Sequence, residues 1–244
     1  MRFTSDERLD DGVLERAFTL DGEIPGILWT PASASAPVPL ILLGHPGGLQ
    51  AMYPRLVARA RHAVAAGFAA ATTELPGSGA RPRSAAADEA RADLHRALAA
   101  GEPVDDEIID RLVLPLVAEA VPEWQAALDA VLPLPEIGGP VGYAGGVIAI
   151  GTRLAAVEPR IAAALLFAGS FVPRATLQEA RQVTIPLQVL LQWDDEGNDR
   201  QMALDLFDAF GSKEKTLHAN MGGHTGIPQF EGDDGNRFFA RHLT

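Results

Sequence analysis

Apolar runs of strand length alternate along this chain with longer stretches in which apolar positions return every three or four residues. That alternation predicts an α/β fold, a mostly parallel central sheet of about eight strands flanked by helices. "VLERAFTL" and "IPGILWTPA" read as an opening pair of strands joined by a turn at Asp21-Gly22. "VPLILLGHPGG" is apolar without interruption and ends in glycines, as expected of a central strand buried on both faces. From Tyr53 to Ala66 the spacing becomes helical, with Leu56, Val57, Ala60 and Val64 on one side. "GFAAATTELPGSG" is the next strand and again runs into a Gly/Pro turn.

Residues 80–120 break the rhythm. They are rich in alanine, arginine and acids and carry no strong strand, so two or three helices are expected, one beginning near Ser84 and another in "DDEIIDRLVLPLVAEA". The stripe Ile108, Ile109, Leu112, Val113, Leu116, Val117 would serve as core or would line a ligand pocket. Alternation resumes with the helix "EWQAALDAVL", the strand "GPVGYA" and the helix "GVIAIGTRLAAV". The strand "RIAAALLFAG", a short helix near "TLQEARQV" and the strand "PLQVLLQWD" follow. The helix "DRQMALDLFDAF", the strand "EKTLHAN" and the helix "NRFFARHL" complete the series. No repeat is present, and "PASASAP" reads as a loop between strands, so the chain is expected to form a single domain over residues 1–244 with residues 80–120 inserted in it.

Composition narrows the chemistry. A net charge of −12 over 244 residues supplies no basic stripe for phosphates and argues against a nucleic-acid partner. No cysteine is present, which excludes disulfide and thiolate chemistry and fits a cytoplasmic location. The charged N-terminus predicts no secretory signal, and no apolar run has the length of a membrane span, so no membrane partner is expected. The chain has neither an HExxH nor a Gly-Lys-Ser/Thr phosphate loop, and "GYAGGVIAIG" does not match G-x-G-x-x-G, so no metal and no cofactor are expected.

The most informative stretch is "VGYAGGVIAIG", Val141 to Gly151. A G-x-S-x-G turn between strand and helix presents a nucleophilic serine, and close strand–helix passage demands tiny residues two before and two after it. Gly142 and Gly146 stand at those offsets around Ala144, so the serine position holds alanine. Here the chain resembles the α/β-hydrolase superfamily, in particular its small serine esterases and dienelactone-hydrolase-like members. The segment from Ile185 to Pro228 is similar to the C-terminal part of that family. The resemblance implies the α/β-hydrolase fold and a triad in the chain order nucleophile, acid, histidine. It assigns the acid to Asp195, with Asp194 one step earlier as the alternative, and the histidine to His224 among Gly222, Gly223 and Gly226. It implies an oxyanion hole from the N–H of Gly145 and one from "LLGHPGGLQ". In that loop Pro46 has no N–H, which leaves Gly47 first and Gly48 or Leu49 behind it. His45 is expected to brace this loop. "ELPGSGARPR" resembles the family's turn after the preceding strand, and the 80–120 insertion stands where family members carry a cap. The expected partner is a small-molecule ester or related acyl substrate. Two readings stay open: a carboxylic ester hydrolase disabled by alanine at 144, and a natural small-molecule binder on the hydrolase scaffold. The sequence says nothing of oligomeric state.

Overall fold

The computed structural model describes residues 1–9 and 11–244. Its nine strands are β1 (Arg2–Arg8), β2 (Val13–Leu20), β3 (Ile24–Pro31), β4 (Val38–Gly44), β5 (Ala69–Thr73), β6 (Ile137–Gly145), β7 (Ile161–Phe167), β8 (Leu187–Gln192) and β9 (Lys215–Asn220). Seven helices join them: α1 (Leu49–Ala65), α2 (Ala85–Ala100), α3 (Asp106–Val131), α4 (Ile148–Val157), α5 (Arg174–Ala180), α6 (Arg200–Ala209) and α7 (Phe230–Leu243). All strands lie in one sheet of order β1-β2-β3-β5-β4-β6-β7-β8-β9. The three pairings from β1 to β5 are antiparallel, and the remaining five are parallel.

The central strands are apolar at consecutive positions because both faces are covered. In β4, Leu40 and Leu42 join the layer of α3 and α4, whereas Ile41 and Leu43 join the layer of α1 and α7. The chain leaves β4 toward β5 on one side and returns to β6 on the other. The carboxyl ends of β4 and β6 therefore flank the crevice where strand order reverses, the place where such sheets bind ligands.

Two elements differ from the sequence reading. The charged start of the chain forms β1, a ninth strand at an exposed edge, held by Phe3 packing edge-on against Phe18 with the Arg16 guanidinium over its ring. Charged residues are what an uncovered edge strand tolerates, and they conceal its period in the sequence. The two helices expected around Pro122 are one helix, α3, which contains both Pro115 and Pro122. Each interior proline costs about 3 kcal/mol. Both face solvent, while Ile109, Val113, Val117, Val121, Trp124, Leu128 and Val131 are buried along the other side. At about 1.5–3 kcal/mol for each buried aliphatic side chain, that stripe outweighs the two breaks.

Residues 80–120 hold α2 and the first half of α3 as an antiparallel hairpin. Ser84 caps α2 through its hydroxyl oxygen, and Gly101 ends it in left-handed conformation. Arg81 fixes the hairpin to the body: its Nη1 and Nη2 donate to the Glu123 carboxylate at 2.7 and 2.5 Å, and Nη1 also reaches the Glu74 carbonyl at 3.0 Å. Among the described residues, no helix is long and apolar enough to cross a membrane.

Candidate active site

β8 ends in an acidic turn, and β9 ends in a glycine loop beside it. Trp193 N–H donates to Asn220 O at 2.7 Å and Asp194 N–H to Gly222 O at 3.1 Å, so the two strand ends remain zipped beyond the sheet. Gln192, the buried last residue of β8, donates from Nε2 to Gly223 O at 3.2 Å. Gly226 N–H closes the loop on Gly223 O at 2.8 Å. This framework brings His224 Nδ1 to 2.7 Å from Asp195 Oδ2. A carboxylate can only accept, so Nδ1 carries the proton, and in the neutral ring Nε2 holds a lone pair. The Asp195 side chain is 3% exposed and that of His224 52%, a buried carboxylate orienting an open imidazole. The other Asp195 oxygen accepts from Gly197 N–H at 3.1 Å, and the His224 ring stands edge-on to Phe167 with centroids 5.4 Å apart.

Of the two aspartates, Asp194 is exposed and Asp195 lies against the imidazole. Glu196 is exposed, and Asp199 caps α6 by accepting from the N–H groups of Gln201 and Met202. Asn198 Nδ2 donates to Ala168 O at 2.7 Å and ties this turn to the end of β7.

At the crevice between β4 and β6 the tight packing is plain. A Cβ on Gly142 would stand 2.6 Å from Phe239 of α7, and one on Gly146 would stand 2.9 Å from the Gly44 backbone. Ala144 lies opposite Leu43 and Leu165 in register. Its methyl is buried among Leu43, Ala163 and Phe239 on the α1–α7 side, while Tyr143 turns to the other layer against Trp124. Left-handed backbone falls on Gly145 (φ 73°) and Gly146 (φ 75°), not on position 144. Such a turn costs little at glycine and roughly 1–2 kcal/mol at alanine, so the paired glycines take it up.

The loop after β4 carries the candidate oxyanion donors. His45 is buried, and its Nε2 lies 2.9 Å from Thr73 O at the end of β5, a bracing contact. Burial lowers its pKa from the ordinary 6.5, partly offset by the Thr73 carbonyl. The Leu49 N–H donates to Glu74 Oε1 at 2.8 Å and is therefore engaged. Gly48 is the N-cap residue of α1, and a Cβ built on Gly47 would meet Met52 at 3.6 Å, an ordinary contact.

Above the strand ends, a cavity of about 450 Å³ lies between the α2–α3 hairpin and the loops after β4 to β8. Leu94, Ile108, Leu112 and Leu116 line it from the hairpin, and Pro46, Val147 and Phe171 from the body. Sequence reasoning missed Gln192, Asn198 and Phe167. A glutamine ending an apolar strand was the one visible signal.

No protein-family model matches the chain, and no curated protein matches it. Among solved structures, it is similar to a cold-adapted esterase from an Arctic intertidal metagenomic library, bound to polyethylene glycol, with a TM-score of 0.78 and 30% identity over 100% of both chains. The chain belongs to the α/β-hydrolase family. Two more distant structures share the fold of this α/β-hydrolase. One is an acetyl xylan esterase from Paenibacillus sp. R4 (TM-score 0.68, 15% identity, 99% of this chain and 88% of that one). The other is a Klebsiella pneumoniae protein assigned as a dienelactone hydrolase (TM-score 0.67, 15% identity, 93% and 97%).

Among the described residues, one group of metal-binding residue types occurs away from Asp195 and His224. His218, Glu231 and Asp234 bring ligand atoms within 4.8 Å of one another. They are already satisfied internally: His218 Nδ1 and Asn220 Nδ2 each lie 2.8 Å from a Glu231 oxygen, and Arg237 pairs with Asp234.

Proposed function

We propose that this α/β-hydrolase is a carboxylic ester hydrolase in which Asp195 and His224 form the acid–base half of a triad and position 144 is the nucleophile's place, here held by alanine. The 2.7 Å Asp195–His224 pair, with Nδ1 turned to the carboxylate and Nε2 open, is the observation that carries this reading. The esterases among the similar structures support the reaction class.

With serine at 144, Nε2 of His224 takes the hydroxyl proton as the oxygen attacks the ester carbonyl. Asp195 holds the tautomer and stabilises the imidazolium. The N–H groups of Gly47 and Gly145 receive the oxyanion, His224 returns the proton to the leaving alcohol, and water releases the acyl group by the same steps in reverse. Lactones and thioesters suit the same parts. The hairpin of residues 80–120 acts as a cap whose 450 Å³ cavity takes the acyl or alcohol portion. The absence of cysteine fits work in a reducing cytoplasm. As written, the chain binds substrate but turns it over about a million-fold more slowly than a serine form.

Two observations favour a second reading, a non-catalytic small-molecule binder: the left-handed turn begins at Gly145, one residue beyond the position a strained nucleophile occupies, and the Ala144 methyl lies on the α1–α7 side, in a cavity that His224 does not line. Ala144→Ser assayed with p-nitrophenyl esters of two to eight carbons separates the two. The hydrolase reading expects activity that disappears again on His224→Ala. A folded Ala144→Ser protein inert toward every chain length leaves only the binder.

A further inference from the structure

On the opposite side of the elbow, between α1 and α7, lies a second cavity of about 740 Å³. Leu43, Ala144, Leu165, Leu190 and Phe239 form its apolar wall, and its mouth carries two exposed apolar side chains, Ile227 (40%) and Phe230 (56%). Arg59 of α1 also lines it. This guanidinium donates from Nη1 to Gly44 O at 2.8 Å and from Nη2 to Ala144 O at 2.7 Å, clamping the carboxyl ends of β4 and β6. Of five N–H donors, those two contacts account for two.

Among the described residues, no carboxylate lies within ion-pair distance of Arg59. The two acids that also line the cavity are engaged elsewhere, Glu231 with His218 and Asn220, and Asp233 with His62 at 3.3 Å. Burial draws the Arg59 pKa down to about 10, which still leaves it a cation at neutral pH. A half-buried cation without a counter-charge is costly, and an anion brought to it is favoured. In a chain of net charge −12, the surrounding surface would otherwise repel such an anion.

We propose that the α1–α7 cavity is a binding site for a monocarboxylate with an apolar tail, its carboxylate on Arg59 and its tail along Leu165, Leu190 and Phe239 toward Phe230. A guanidinium with free donors suits a carboxylate, and Leu165, Leu190 and Phe239 offer a chain apolar contact, with the polar residues His62, Gln229, Glu231, Asp233 and Asn236 also lining the cavity. The cavity shares Ala144 with the proposed nucleophile position, but neither His224 nor the hairpin lines it, so variants at His224 and Leu116 test the two readings separately.

Calorimetric titration with octanoate, 1-octanol, octylamine and acetate tests it. Octanoate is expected to bind at least about tenfold more tightly than each of the other three, since a charge-assisted hydrogen bond carries about that factor and the tail supplies the rest. Arg59→Met should remove the preference for octanoate over octanol. Because Arg59 also holds two strand ends, Phe230→Asp is the independent variant: it changes the exposed mouth where the tail ends and should weaken octanoate at least about fivefold, and octanol less, since only octanoate also meets the new charge. His224→Ala and Leu116→Trp should leave octanoate binding unchanged. Equal affinity for octanoate and octanol overturns the proposal, as does binding that survives Phe230→Asp intact. Loss of binding in His224→Ala or Leu116→Trp would move the acid to the cavity under the hairpin and overturn it equally.

Discussion

Alanine at Gly142 and alanine at Gly146 probe two different obstacles at the same turn. At Gly142 the new methyl meets only side-chain atoms of α7, Phe239 at 2.6 and 2.8 Å and Leu243 at 3.0 Å. At Gly146 it meets the main chain of Gly44 at 2.9 Å, in a residue whose φ is already 75°. Overpacking a core by one methyl costs about 1–3 kcal/mol. Left-handed backbone adds about 1–2 kcal/mol for an L-residue. Gly142→Ala should therefore lose about 2 kcal/mol, and Gly146→Ala about 3–4 kcal/mol, which lowers the melting temperature by roughly 6–16 °C in a chain of this size. The obstacles also respond differently to a partner change. Phe239→Leu makes room at Gly142, so the Gly142→Ala/Phe239→Leu pair should be more stable than the sum of its parts by about 1 kcal/mol or more. Tyr143→Phe removes the hydroxyl oxygen that also stands 2.9 Å from the Gly146 Cβ position. It leaves the Gly44 backbone where it was, so that pair should add within about 0.5 kcal/mol. Urea unfolding followed by tryptophan fluorescence, with midpoints compared at unchanged m, gives all six differences from the parent. A Gly146→Ala loss below about 1 kcal/mol, or an additive Gly142/Phe239 pair, would refute the packing account of this elbow.

Four further outcomes are expected. Asp195→Asn in an Ala144→Ser background should reduce kcat by about 10⁴ with little change in KM, because the imidazole is freed to adopt the wrong tautomer; a drop below tenfold would exclude Asp195 as the orienting acid. Gln192→Leu in that background should lower kcat and raise hydrogen exchange at Gly222 to Gly226, since Nε2 holds the Gly223 carbonyl; unchanged exchange would deny Gln192 its positioning role. Leu116→Trp should narrow the 450 Å³ cavity and reduce turnover of octanoyl esters more than of acetyl esters; equal losses would place the acyl chain elsewhere. Folding keeps His45 neutral by burial, so the unfolded chain takes up a proton near pH 6.5 that the folded chain refuses. The stability this linkage contributes is complete above pH 6.5 and lost as pH falls below it, by up to about 1.4 kcal/mol per pH unit. His45→Gln should flatten the fall in melting temperature between pH 6.5 and 5, and a slope equal to the parent's would contradict it.

The sequence made the alternation of strands and helices legible because buried parallel strands are apolar at every position and helices repeat on one face. It also showed His224 and the acidic turn, since glycines and strand-end acids stand out against apolar flanks. Strand-end acids alone left Asp195 and Asp194 open and only the family resemblance favoured Asp195, because adjacent residues differ in which way they point, which Gly197 and His224 fix in space. Arg59 was illegible for a different reason. It sits among Arg55 and Arg61 in a helix with ordinary basic content, and only the fold brings its guanidinium to the carbonyls of Gly44 and Ala144. Engagement of the Leu49 N–H was hidden too, because Glu74 is 25 residues away along the chain.

The uninterrupted course of α3 bears on how a ligand would enter. Its first half roofs the cavity at the strand ends, and its second half is wedged into the body through Trp124 against Tyr143, with Arg81 bolted to Glu123 between them. Movement of the roof would have to bend this helix near Pro115 or Pro122 against a buried stripe. The helix α2, by contrast, buries only Ala90, so amides of α2 should exchange with deuterium well before those of α3.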